Sequence, residues 1–286
     1  MSPTAAGPDS PPTDTRPTPA VSTRPAAQVA REREHFFGAA KIVAGLTVLS
    51  RVAGMLRAMA ITSLGAMHAN DTFALAFRIP NFFRRLLGEG AMAAAFVPVF
   101  TETSERKGHA KADALLGNAL GLLTAVLLAV LALMLGGLLL WQRTWGSPDT
   151  MLLVGLTATM LPFMVTVCVL ALCSAALNCR GHFAYPAWSP VLLNLVIIAA
   201  AWWVAPLWRD DLAGKLYVIA ASVSVAGLIQ VVWIAVLLRK YGFSIRPRLW
   251  PLEDGIRTMV RTMAPMMVGM GLLQLTELLD DQDGLH

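Results

Sequence analysis

Charge is what this sequence has least of. Only 14% of its 286 residues are charged, against 56% hydrophobic, and mean hydropathy is +0.60. A soluble domain carries about 25% charge, so composition excludes an ordinary water-exposed globule and fits a polytopic membrane protein. Cysteines are as scarce. Cys168, Cys173 and Cys179 lie in or at the end of one apolar run, with no paired C-x-x-C spacing and no histidine nearby, which makes them packing residues rather than metal ligands. The five histidines are scattered, and the chain has no P-loop, dinucleotide fingerprint or serine nucleophile elbow. No catalytic centre, metal or cofactor is therefore expected. The net charge of +5 comes from short basic clusters between apolar runs. A nucleic-acid binder would show a dense basic face, so anionic lipid headgroups are the expected neighbours and nucleic acid is not.

Residues 1–34 are rich in Pro, Ser, Thr and Ala, with no aromatic residue. Such a segment buries too little apolar surface to order itself, and it lacks the apolar core of a secretory signal, so it is expected to stay on the protein as a disordered tail. About 20 apolar residues cross a bilayer core. The runs Ala114 to Gln142, Thr150 to Cys179 and Gly181 to Trp208 contain no Asp, Glu, Lys or Arg, and Leu216 to Leu238 makes a fourth span. Ahead of them lie two interrupted candidates, Gly38 to about Ala66 and Asp71 to Thr101. A last apolar stretch, Thr262 to Thr276, would rise only about 23 Å as a helix before Glu277 and an acidic cluster. The chain is thus expected to stop inside a seventh helix.

Basic residues set the orientation. Of 23 Lys and Arg, fifteen fall on the N-terminal side and the even-numbered loops, and only Arg143, Arg209 and Lys215 on the opposite side. The N-terminus and the loop from Arg239 to Arg261 are therefore expected in the cytoplasm. The remaining five are Arg51, Arg57, Arg78, Arg84 and Arg85, all inside the two interrupted spans. An arginine at the centre of a lipid-facing helix costs about 2.5–3.5 kcal/mol, so these side chains are expected to face a polar cavity or each other. Only Asp71 and Glu89 accompany them. A cavity with that balance attracts an anion, and the planar guanidinium fork suits phosphate. At about 100° per residue Arg78 and Arg85 stand about 20° apart, with Glu89 one turn further on the same face. Arg51 and Arg57 are about 120° apart, so both reach one cavity only near its edge or where Gly54 permits a bend. Pro80 is expected to break regularity after Arg78, with Gly88 and Gly90 loosening the far end.

Two blocks, SRVAGMLR from Ser50 to Arg57 and DTFALAFRIPNFFRRLLGEGAMAAAFVPVFTE from Asp71 to Glu102, resemble the lipid II flippases of the MurJ/MviN type within the multidrug/oligosaccharidyl-lipid/polysaccharide exporter superfamily. Pro186, PVLLN at Pro190 to Asn194 and MAP at Met263 to Pro265 add to the likeness, which covers about residues 36–275. The resemblance implies an all-α membrane fold of two six-helix lobes around a central cavity. This chain would supply the N-terminal lobe over 35–240, then a cytoplasmic loop and the start of the second lobe over 241–286. It also implies alternating-access translocation of an undecaprenyl-diphosphate sugar-peptide, lipid II, across the bacterial cytoplasmic (inner) membrane, beside membrane lipids and the peptidoglycan synthesis machinery. By motif position Arg51, Arg57 and Arg84 would engage the diphosphate, with Ser50, Asp71, Arg85 and Glu89 as supporting cavity residues.

The family commonly places an acid directly after the second arginine of the first block, where this chain has Ala58. These 286 residues are expected to hold only the start of the second lobe, and TELLDDQDGLH does not look like the family. A nonfunctional fragment, a related polysaccharide-lipid exporter and a static anionic-lipid-binding membrane subunit are the alternatives.

Overall fold

The computed structural model describes residues 26–65, 67–83, 92–208, 211–266 and 269, and among them every regular element is helical. Two compact units divide at Ala40 and Lys41. The first is helical from Ala26, so the expected tail, drawn to residue 34, gives way sooner. The reason is local: past Pro25 the chain reads AAQVARERE, a proline-free run dominated by strong helix formers.

In chain order the helices are α1 (Ala26–Thr62), α2 (Met67–Phe83), α3 (Met92–Lys107), α4 (His109–Trp145), α5 (Pro148–Met160), α6 (Pro162–Cys179), α7 (Ala184–Ala199) and α8 (Leu212–Lys240), with a further helical stretch over 254–266. Among the described residues five segments are long and apolar enough to cross a membrane: Ala40–Thr62, His109–Trp145, Thr150–Cys179, Ala184–Trp208 and Leu212–Lys240. They coincide with five of the six expected spans. The sixth, Asp71 to Thr101, is divided between α2 and α3, and residues 84–91 lie outside the described residues. Pro80 does not end α2, which continues to Phe83. A proline removes one donor, here the bond to the Ala76 carbonyl, and a helix already formed on both sides tolerates that loss.

The α5–α6 segment is the centre of the lobe. Leu161 keeps helical dihedrals, φ −53° and ψ −38°, and Pro162 falls at the first position of α6, where its missing donor is not needed. Leu156, Met160, Phe163, Met164 and Leu172 from this segment are fully buried with Phe96 and Phe100 of α3. α8 lies against α5 and α6 through small residues, as membrane helices do. A Cβ at Gly227 would meet Thr166 Oγ1 and Phe163, and Ser224 Oγ donates to the Thr159 carbonyl at 2.7 Å. By contrast Val48, Met55 and Met59 of α1 and Leu133, Leu139 and Leu140 of α4 are exposed, the outward apolar face that a bilayer covers.

The two ends of the lobe differ in chemistry. Trp141 and Trp145 close α4, and Trp202, Trp203 and Trp208 stand exposed where α7 passes through a π turn (Ala200–Val204) and a 3-10 turn (Ala205–Trp208). Aromatic girdles of this kind mark a membrane–water interface. At the other end Lys107 pairs with Asp254 and Lys111 with Glu253, each at 3.6 Å, while Arg180 pairs with Asp113 at 2.7 Å. Basic residues from separate loops thus share one end.

Candidate functional site

Arg57, on the inward side of α1, is half-buried and lines two adjoining cavities of about 610 and 310 Å³. Phe77 and Asn81 of α2 belong to both, and Arg78 borders the smaller. Among the described residues Arg57 has no ion-pair partner. The larger cavity reaches across α6, α7 and α8, where Ser174, Ser189, Asn194 and Gln230 add polar atoms. Its volume is in the range of sites that take a sizeable ligand. Among the described residues it therefore presents one cation, several neutral hydrogen-bonding groups and the rings of Phe77 and Phe163, whose centroids are 6.2 Å apart.

Gln230 is the least expected of these groups. It is 3% exposed, and its Nε2 donates to the Ser189 carbonyl at 2.7 Å. Its Oε1 is buried without a donor. An acceptor left unsatisfied in a protein interior costs about 1–3 kcal/mol, and Gln230 carries that cost on the wall of the larger cavity.

The structure brings together only part of the predicted set. Gly54 and Arg57 line the larger cavity with Pro186, Pro190 and Asn194. Arg51 and Asp71 are exposed and line neither cavity. Ser50 contributes its carbonyl, which accepts from Asn194 Nδ2 at 3.2 Å and so ties α1 to α7. α1 is helical through Gly54, and Pro80 is buried within α2. Arg84, Arg85, Gly88, Glu89 and Gly90 lie outside the described residues.

A second constellation, at the basic end, has no counterpart in the motif reading. Segment 243–253 returns from α8 and lies along α4. Asp113, 4% exposed, accepts from Arg180 Nη2 at 2.7 Å and from the Ser244 backbone N–H at 2.8 Å, and the Arg180 guanidinium stacks 3.5 Å above the Phe243 ring. One turn along, Asn118 Nδ2 donates to the carbonyls of Arg248 and Pro251, and its Oδ1 accepts from Glu253 N–H. Gly117 and Gly121 flank it, and a Cβ on either would collide with the Arg246 or Arg248 carbonyl. The signal was present as a G-x-x-x-G with an asparagine inside an otherwise apolar run, the pattern of close backbone approach. Nearby, Tyr241 donates its phenol to Tyr185 Oη at 2.6 Å, a bond that pushes the Tyr241 pKa above its ordinary value.

The family described as "Lipid II flippase MurJ" matches residues 60–282. The chain is similar to "Probable lipid II flippase MurJ" of Vibrio cholerae, with 35% identity over 260 residues covering 84% of this chain and 47% of that protein. It is similar also to "Lipid II flippase MurJ" of Burkholderia cenocepacia, with 34% identity over 254 residues, 85% of this chain and 48% of that protein. The chain thus spans about half the length of the curated relatives it matches. Among solved structures, a lipid II flippase MurJ in an inward closed conformation superposes with a TM-score of 0.64 at 20% identity, over 83% of this chain and 49% of that one. That likeness shares the fold.

Proposed function

This chain belongs to the lipid II flippase MurJ family, and from that premise we propose that its Arg57 cavity takes the diphosphate-linked head of a polyprenyl lipid during translocation across the bacterial cytoplasmic membrane. The observation that carries this reading is Arg57 itself, a cation without an ion-pair partner among the described residues, half-buried inside a membrane-crossing helix at the border of about 610 Å³ of cavity. A positive charge so placed favours an anion, and a guanidinium meets phosphate with two parallel hydrogen bonds. Asn81, Asn194, Gln230 and the two serines supply donors and acceptors for the hydroxyl and amide groups of a sugar-peptide.

By motif position Arg51 and Arg84 join Arg57 in engaging the diphosphate, with Ser50, Asp71, Arg85 and Glu89 in support, Arg51 and Asp71 from outside the two cavities. The head enters from the basic, cytoplasmic end and leaves by the tryptophan-lined end, with N-terminus and the 243–253 segment cytoplasmic. Cell-wall synthesis enzymes on the far side are the consumers of such a product. The protein acts as a transporter, since no covalent step is required of any residue in the cavity.

Binding of undecaprenyl diphosphate to the chain in nanodiscs tests the reading. Wild type is expected to bind it, Arg57→Ala to lose roughly tenfold or more in affinity, and Arg57→Lys to recover only part of that. Equal binding by all three would overturn it.

A further inference from the structure

The basic end holds a second cavity, of about 430 Å³, enclosed by α4, α6, α8 and the start of the 243–253 segment. It shares no lining residue with the Arg57 cavity. Leu120, Val169, Ala235 and Phe243 make its wall apolar, while Arg239 and Arg246 stand at its border. Both arginines are exposed. Three described acids of this end are engaged elsewhere, Asp113 by Arg180 and the Ser244 amide, Glu253 by Lys111 and Asp254 by Lys107, and Glu102 pairs with Arg106 on its own helix. Neither Arg239 nor Arg246 has an ion-pair partner among the described residues.

Position and rigidity complete the case. Arg239 is in the last turn of α8, where a membrane-crossing helix ends, so its guanidinium stands at headgroup level and the apolar wall lies at the depth of acyl chains. Arg246 is held at its backbone, since its carbonyl is seated against Gly117 and the neighbouring Ser244 and Arg248 amides are bonded to Asp113 and Gly117. Two cations at the border of an apolar cavity, one on a fixed backbone, match a ligand with an anionic head and a hydrocarbon chain. We propose that this cavity is a binding site for an anionic phospholipid of the cytoplasmic leaflet, its phosphate between Arg239 and Arg246 and one acyl chain inside, pinning the 243–253 segment to the lobe.

The test uses the whole chain in mild detergent with phosphatidylglycerol and phosphatidylcholine of identical acyl chains, adducts being counted by native mass spectrometry. At about fivefold per basic residue, phosphatidylglycerol is expected to be retained over phosphatidylcholine by roughly thirtyfold. Arg239→Gln with Arg246→Gln should bring the two lipids close to parity. Ala235→Trp, which fills the cavity from an exposed position on α8, should weaken both lipids. The proposal is overturned if the double variant keeps the preference, or if Ala235→Trp binds both lipids as wild type does. It is overturned equally if undecaprenyl diphosphate displaces phosphatidylglycerol one for one, which would make this a substrate site, or if adducts occur only on a dimer, which would make it an interface between copies.

Discussion

Asp113 and Arg180 meet 2.7 Å apart with the carboxylate almost fully buried, joining the first turns of α4 to the end of α6 beneath Phe243 and Ser244. A buried pair of this kind adds little net stability because both charges lose their water, but each depends on the other. Its role here is geometric: it decides where the segment after α8 lies.

Removing one partner should therefore be costly. Asp113→Ala leaves the Arg180 charge uncompensated and is expected to lose about 3–5 kcal/mol, whereas Asp113→Leu with Arg180→Met should recover most of it. Urea unfolding in detergent, followed by tryptophan fluorescence, measures both. A single variant as stable as wild type would show that the pair is not structural.

Gly117→Leu should displace segment 243–253 without unfolding the lobe, because even its Cβ would lie 2.4 Å from the Arg246 carbonyl oxygen. Trypsin should then cut after Arg248, which precedes Leu249, much faster than in wild type. An unchanged cleavage rate would mean that the segment does not depend on that approach.

Asn118→Leu keeps the volume but removes three hydrogen bonds to the same segment. At about 1 kcal/mol net for each, a loss of roughly 2–3 kcal/mol is expected, with the same gain in trypsin sensitivity. Protection equal to wild type would argue against the anchor.

Gln230→Met trades one hydrogen bond, to the Ser189 carbonyl, for relief of a buried orphan acceptor, so stability is expected to stay within about 1 kcal/mol of wild type. Binding of a sugar-bearing polyprenyl diphosphate should nonetheless fall, while that of the bare diphosphate lipid is kept. Comparing the two affinities in nanodiscs decides it: an equal effect on both lipids would exclude a contact with the sugar.

Topology can be read by cysteine labelling in intact cells. A cysteine placed at Gly242 or Arg257 should resist an impermeant maleimide, and one at Gly146, beside the exposed Trp145, should react. Labelling at Gly242 from outside would reverse the orientation.

Composition and charge spacing were enough to determine the class of this protein. A bilayer demands long uncharged runs, so the spans from Ala114 to Trp208 and the one ending near Lys240 were legible as counts of missing charge, and the helices formed where those runs lie. The expectation that arginines in spans seek a polar cavity follows from the same cost, and Arg57 lines one. Tertiary structure decided what depends on which side of a helix faces which neighbour. It turned Arg51 outward and Arg57 inward on the same helix, carried α2 through Pro80, and placed Gln230 of α8 beside Ser189 of α7, 41 residues away. It also set Asn118 against Arg248 and Pro251 across 130 residues of chain or more. Hydropathy is a sum along the chain and registers none of these, because a buried hydrogen bond or a glycine contact is a property of two segments at once.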